Sequence, residues 1–232
     1  MLLRIFPIWV SLLIFFAVTA QMSTTLIEQG MVMDNRVGPF TVPPASLATF
    51  DILTAVFLIP VYDVVLVPLA RRATGRDRGF SQLQRLGIGL ALSAVAMAYS
   101  ALVESRRLAV ANRGAAAVVQ VNIMWQAPSF VLLGAAEVFT SIGILEFFYD
   151  ESPESMKSMG TALGQLAIAA GNYLNSAVLG VVAAVTARGD APGWIPDNLN
   201  KGHLDYFFWT MAGVSVLNLL QFMYFSVSRY KR

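Results

Sequence analysis

The chain has no cysteine and a single histidine, His203, in 232 residues. That excludes disulfides, thiolate metal sites and cysteine catalysis, and it leaves too few imidazoles for a histidine-rich metal centre. Charge is scarce too. Only 13% of the residues are Asp, Glu, Lys or Arg, about half of the ~25% typical of soluble domains. A soluble fold of this length would need more charged surface. The net charge of +2 is too small to indicate a nucleic-acid partner. No Ser–His–Asp set, phosphate loop or metal-ligand cluster appears, so the sequence calls for no enzyme activity and no cofactor. What is abundant is apolar: 56% of the chain is hydrophobic.

The apolar residues fall into runs long enough to cross a bilayer, which takes about 20 residues. Four runs carry no charge: residues 5–27, 86–103, 158–187 and 206–228. Two more carry carboxylates. Residues 46–70 hold Asp51 and Asp63, and residues 123–148 hold Glu137 and Glu146. In lipid each segment must satisfy its own backbone, so all six are expected to be helices. The fold class is therefore an all-α polytopic membrane bundle, a single transmembrane domain with no soluble domain attached. The first run, with Arg4 before it and small residues at 17–20, has features of a signal peptide. It is long for one, and five further spans follow.

Basic residues set the orientation. With the chain starting in the cytoplasm, the inner side carries Arg4, Arg71, Arg72, Arg76, Arg78, Arg85, Lys157, Arg229, Lys231 and Arg232. The outer side carries Arg36, Arg106, Arg107, Arg113, Arg188 and Lys201. This bias places both termini in the cytoplasm. Punctuation agrees with the spans. Pro39, Pro43 and Pro44 mark the first outer loop, Ser46 is a candidate N-cap of the second helix, and Ser152–Pro153 precedes the fifth. Asp205 suits the start of the sixth helix. Residues 104–122 form the longest connection, with room for a short interfacial helix.

Polar residues at membrane depth are costly, about 2.5–3.5 kcal/mol per charge on insertion scales, and usually face water or a partner. Glu137 sits near the centre of the fourth span, with Thr140 and Ser141 one turn on. Thr161, Gln165, Asn172, Asn175 and Ser176 share an arc of roughly 100° on the fifth helix. Such a stripe means a wet cavity or a polar helix interface, and composition does not choose between them. Gly160 and Gly164 form a GxxxG pair suited to close helix contact. Gln21 lies in a polar outer end of the first helix. Asp51 lies one turn inside the outer end of the second helix, and Pro60 suggests a kink there. Asp63 near the inner end, with Arg71 and Arg72 beyond it, reads either as topology alone or as an Asp–Arg gating latch. His203 reads as a solvated loop residue.

Several long runs carry a resemblance. They are YDVVLVPLARR over 62–72, GFSQLQRLGIG over 79–89, EVFTSIGILEFFY over 137–149, SPESMKS over 152–158 and WIPDNLNKGHLDY over 194–206. Together these resemble the plant nitrate/peptide transporter family, a branch of the proton-dependent oligopeptide transporters of the major facilitator superfamily. Members of that family have twelve helices in two six-helix halves, and this chain resembles helices seven to twelve.

The resemblance implies a half of a proton-coupled symporter for di- or tripeptides, nitrate or related small solutes. It implies that Glu137 lines the central cavity and contacts the amino end of a peptide or holds a proton. Gln21, Asp51, Asn172 and Tyr173 would stand at the same cavity, with Gln165 on the polar stripe beside them. Where bacterial peptide carriers have an acidic residue this chain has Ala20, which removes one type of outer gating salt bridge. The expected partners are the lipid bilayer, a small solute with protons, and an N-terminal half or a homologous transporter. The expected location is the plasma or vacuolar membrane. The chain is expected to be a fragment or short product that does not transport alone. A structural or regulatory membrane subunit and a channel-like oligomer are the other two readings.

Overall fold

The computed structural model describes residues 2–74, 80–112, 119–151, 157–187 and 193–230. Six segments in it are long and apolar enough to cross a membrane: Phe6–Met31, Pro44–Arg72, Gln82–Ala111, Ile123–Tyr149, Lys157–Thr186 and Leu204–Ser226. The protein is thus a polytopic helical bundle, as its composition implies.

The first span is helix α1 (Leu2–Thr19), a 3-10 turn (Ala20–Ser23) and helix α2 (Thr25–Met31). The second is α3 (Ala48–Val61), a π-helical segment (Tyr62–Leu66) and α4 (Val67–Thr74). The remaining four are α5 (Gln82–Ala111), α6 (Ala127–Glu151), α7 (Lys157–Thr186) and α8 (Leu204–Tyr230). Helix α5 packs against α6 and α8, α1 against α7 and α8, and α3 against α6.

Two proline rings explain the irregular second span. Pro60 lies inside α3, and Pro68, lacking an N–H, cannot donate back to the preceding turn. The five-residue π segment lies between them, and such a widened turn is a recognised cause of bending. Ser46 is not an N-cap. Pro44 opens a 3-10 turn over Pro44–Leu47, and the Ser46 hydroxyl donates back to the Pro43 carbonyl at 2.7 Å instead. Helix α5, by contrast, opens with a capping box in which Ser81 accepts from the Gln84 backbone and Gln84 reaches back to Ser81. Ser152–Pro153, Arg76, Arg78, Arg113 and Arg188 lie outside the described residues.

The third span runs well past its expected end. Residues 104–111, expected in a loop, continue α5. Beyond it, β4 (Val119–Asn122) pairs in parallel with β1 (Met33–Asp34). A small hairpin joins β2 (Arg36–Val37) to β3 (Phe40–Thr41), and Gly38 takes the positive φ of 60° that its turn requires.

The core is split into two layers along the bundle. One gathers Leu26, Met33, Met97, Phe130, Phe207 and Phe208 near the loops that follow the first, third and fifth spans. The other gathers Ile8, Phe15, Leu86, Phe147, Phe148 and Phe222 at the opposite end. Burial is uneven between helices. In their most apolar stretches 67% of the first span is buried inside the bundle, but only 6% of the second and 11% of the fifth. The two poorly buried spans flank the candidate site.

Candidate functional site

A cavity of about 410 Å³ opens between α1, α3, α6 and α7. Glu137 and Ser141 of α6 form one wall, Asp51 and Ala48 of α3 a second, and Ile168 and Asn172 of α7 a third. Phe16, Thr19 and Ser23 close it from the first span. Helix α3 can come this near because Gly134 has no side chain. A Cβ there would sit 3.1 Å from both the Cα and the carbonyl oxygen of Asp51. One turn on from that contact, Glu137 is half-buried. Its carboxyl is close enough to Asp51 for the two to repel, and the Thr19 hydroxyl faces it.

Two acidic groups around one apolar cavity make a site for positive charge. It can take an ammonium group or a proton. Among the described residues, no group of three or more His, Cys, Asp or Glu could hold a metal ion.

A second, smaller cavity of about 120 Å³ continues below the first and shares Phe16, Ser141 and Ile168 with it. Gln165 and Thr161 of α7 line it, together with Gly160, Gly164 and Phe148. Gly164 lets α7 approach α6, since a Cβ there would stand 3.1 Å from the Ile144 methyl Cγ2.

The polar stripe on α7 therefore does both things that its pattern allowed. Thr161, Gln165 and Asn172 face the cavities, whereas Asn175 is buried. Its Oδ1 accepts from Gln21 Nε2 at 2.6 Å. Gln21 is also fully buried and takes a hydrogen bond from Thr25 at 2.6 Å. The structure thus places Gln21 in the α1–α7 contact, behind the cavity wall. Tyr173 is 78% exposed, on the outside of α7. Thr140 turns away from Glu137 and packs at Gly89 of α5.

Asp63, Arg71 and Arg72 are exposed, and among the described residues no ion pair joins them. The ion pair at that end of the bundle is Arg85 with Glu146, at 2.6 Å. The Arg85 guanidinium also lies 5.5 Å from the ring centroid of buried Tyr62, and Tyr62 meets Phe139 edge-on.

Sequence reasoning missed a fully buried ion pair. Glu104 and Arg107 are both fully buried. Arg107 donates to Glu104 at 2.7 and 2.8 Å, and to the carbonyl oxygen of Leu199 at 3.1 Å. Gln29 donates to the same carboxylate at 2.7 Å, and Gln126 donates to Gln29 at 2.7 Å. A signal was present: opposite charges three residues apart share a helix face. Placing residues 104–122 in a loop hid it.

Comparison with known proteins agrees with this architecture. The profile of the POT family matches residues 1–195. The chain is 50% identical to Protein NRT1/PTR FAMILY 8.3 of Arabidopsis thaliana, covering 100% of this chain and 40% of that protein. It is 47% identical to NRT1/PTR FAMILY 8.2 of the same plant, over 96% of this chain and 40% of the relative. The chain thus spans about two fifths of the length of the curated relatives it matches. Among solved structures, the POT family transporter PepTSo superposes with a TM-score of 0.75 at 22% identity, over 99% of this chain and 42% of that one. An auto-inhibited POT family peptide transporter gives 0.71 at 24% identity, over 97% of this chain and 40% of its own.

Proposed function

The chain belongs to the POT family, and from that premise we propose that it forms the C-terminal six-helix half of a proton-coupled symporter. The cargo would be a di- or tripeptide, nitrate or a related small solute. The observation that carries this reading is the cavity at Glu137. It is flanked by the two spans that the bundle leaves almost unburied. A second half laid against α3 and α7 would close that cavity into a binding site between halves, the usual position in transporters built from repeats.

In this reading Glu137 takes the substrate ammonium or the coupling proton, with Asp51 raising the negative potential of the same space. Asn172 and Gln165 offer amide groups along the route from the larger cavity to the smaller. Both termini lie in the cytoplasm, following the basic residues, in a plasma or vacuolar membrane. Structures that share this fold include a POT family transporter in complex with a thioalcohol conjugated peptide and one in complex with 5-aminolevulinic acid.

The test is proton-driven uptake into liposomes of a labelled dipeptide and of nitrate. The chain alone should be inactive. Co-reconstitution with the N-terminal half of a close family member should restore uptake, and Glu137→Gln should abolish the restored activity. Robust transport by the chain alone would refute the half-transporter reading. A stable complex with a full-length relative, but no uptake of its own, would favour a regulatory subunit docked through the second span.

A further inference from the structure

The outward face of α5 is an apolar stripe interrupted by one arginine near its C-terminal end. Val95, Leu102, Ala109 and Val110 are exposed along it, at offsets of 7 or 8 that keep them on one side of a helix. Arg106 is exposed on the same face, about five residues, or roughly 7.5 Å, below the end of the helix at the 1.5 Å rise per residue. This face points away from the Glu137 cavity, which lies among α1, α3, α6 and α7. None of these residues lines that cavity.

Arg106 is held in place. Its guanidinium carbon lies 5.3 Å from the ring centroid of Trp125. Trp125 sits in the 3-10 turn that begins the fourth span, and the Tyr99 hydroxyl donates to its carbonyl oxygen at 3.1 Å. Among the described residues, no carboxylate pairs with Arg106. Beside it is an open cavity of about 510 Å³, walled by Val103, Ala109, Val110 and Val121, with Gln120 and Asn122 also in its lining. That lining mixes aliphatic side chains with a guanidinium and an indole, and the exposed residues Leu102 and Val95 continue along α5 on the other side of Arg106.

We propose that Arg106 and Trp125 form a binding site for the phosphate group of a phospholipid in the outer leaflet, its acyl chains lying along Leu102 and Val95. The planar guanidinium supplies two donors matched to phosphate oxygens. The indole holds it at headgroup depth, where tryptophan and arginine both favour the interface. A free inorganic anion would satisfy the guanidinium but would leave the aliphatic wall bare. That difference separates the two sources of phosphate.

The experiment is native mass spectrometry of the purified full chain released from detergent containing dioleoyl phosphatidylglycerol, dioleoyl phosphatidylcholine or dioleoylglycerol. The expected result is one retained phospholipid of either head group and no retained dioleoylglycerol, with inorganic phosphate at millimolar concentration failing to displace the lipid. Arg106→Gln should reduce retention about fivefold, on the order of the attraction of one basic residue at a membrane surface. Arg106→Lys keeps the charge without the flat stacking surface, and should fall between the two. Both substitutions are at an exposed position, and thermal unfolding in detergent reports whether either disturbs the fold. Equal retention by the parent and both variants would overturn the site. Retention of dioleoylglycerol to the same extent, or displacement by inorganic phosphate, would overturn the assignment to a lipid phosphate.

Discussion

At the scale of single residues, the largest energies belong to charges that the bundle has removed from solvent. Glu104 and Arg107 are joined by two hydrogen bonds, Gln29 donates to the same carboxylate, and Arg107 donates further to the Leu199 carbonyl and to the Asn200 Oδ1. Removing one partner leaves the other charged and unpaired, which costs about 3–5 kcal/mol. Replacing both with apolar residues of similar size removes that penalty and is often neutral. Arg107→Met is therefore expected to lower the stability of the protein in detergent by about 3–5 kcal/mol. Arg107→Met combined with Glu104→Met should recover most of the loss. Denaturant titration of the parent, single and double variants reads this directly, and a double variant no better than the single would mean the pair is not coupled. Glu137 stood out in the sequence because a lone carboxylate in an apolar run is conspicuous, whereas Thr140, named with it, packs at Gly89 instead. Gln21 and Asn175 were harder to assign, since a polar side chain facing a cavity and one bonded across a helix contact have the same sequence signature. Only the positions of the partner helices separate them.

At the scale of elements, glycines set how near the helices come. Gly134 brings α3 against α6, and Gly171 brings α7 against α1, where a Cβ would lie 2.9 Å from the Leu13 carbonyl oxygen and 3.2 Å from the Ala17 nitrogen. These are backbone atoms, so a rotamer change cannot relieve the contact. Gly134→Ala must push α3 outward at Asp51, at a cost of about 1–3 kcal/mol for overpacking. The expected outcome is a lower unfolding temperature, together with a weaker response of the cavity to changes at Asp51. Gly213→Ala serves as the control, because a Cβ there meets nothing within 4 Å. Equal behaviour of the two variants would show that the α3–α6 approach is not set by Gly134. The six spans were readable because 20-residue apolar runs have few alternatives in lipid. Their ends were not. Helix α5 extends eight residues past the last apolar position expected of it, as charged residues on its inward face are buried by loops that come from elsewhere in the chain. The π segment in the second span was likewise visible only as a proline in a helical pattern.

At the scale of the whole molecule, the question is which face of the bundle meets water, lipid or another protein. The absence of cysteine makes this measurable without removing any native thiol. A thiolate is needed for reaction with maleimide, so single cysteines label quickly in water and slowly in lipid. Three positions discriminate. Asn172→Cys stands on the wall of the larger cavity, Leu102→Cys on the apolar face of α5, and Lys157→Cys at the start of α7, the end that the basic residues assign to the cytoplasm. In membranes containing the chain, a water-soluble maleimide should label Asn172→Cys at least tenfold faster than Leu102→Cys, and should reach Lys157→Cys only after the cytoplasmic side is opened. If α3 and α7 receive a second six-helix half, co-expression of that half should slow labelling at Asn172→Cys and leave Leu102→Cys unchanged, since Asn172 lines the Glu137 cavity and Leu102 does not. Protection at Leu102→Cys instead would place the partner against α5 and α8, where it could not complete the Glu137 cavity. The cavity would then open to lipid, and a carboxylate pair facing hydrocarbon would carry the full cost of charge in the membrane, several kcal/mol per group. That cost is the physical reason to expect protection on the Asn172 side.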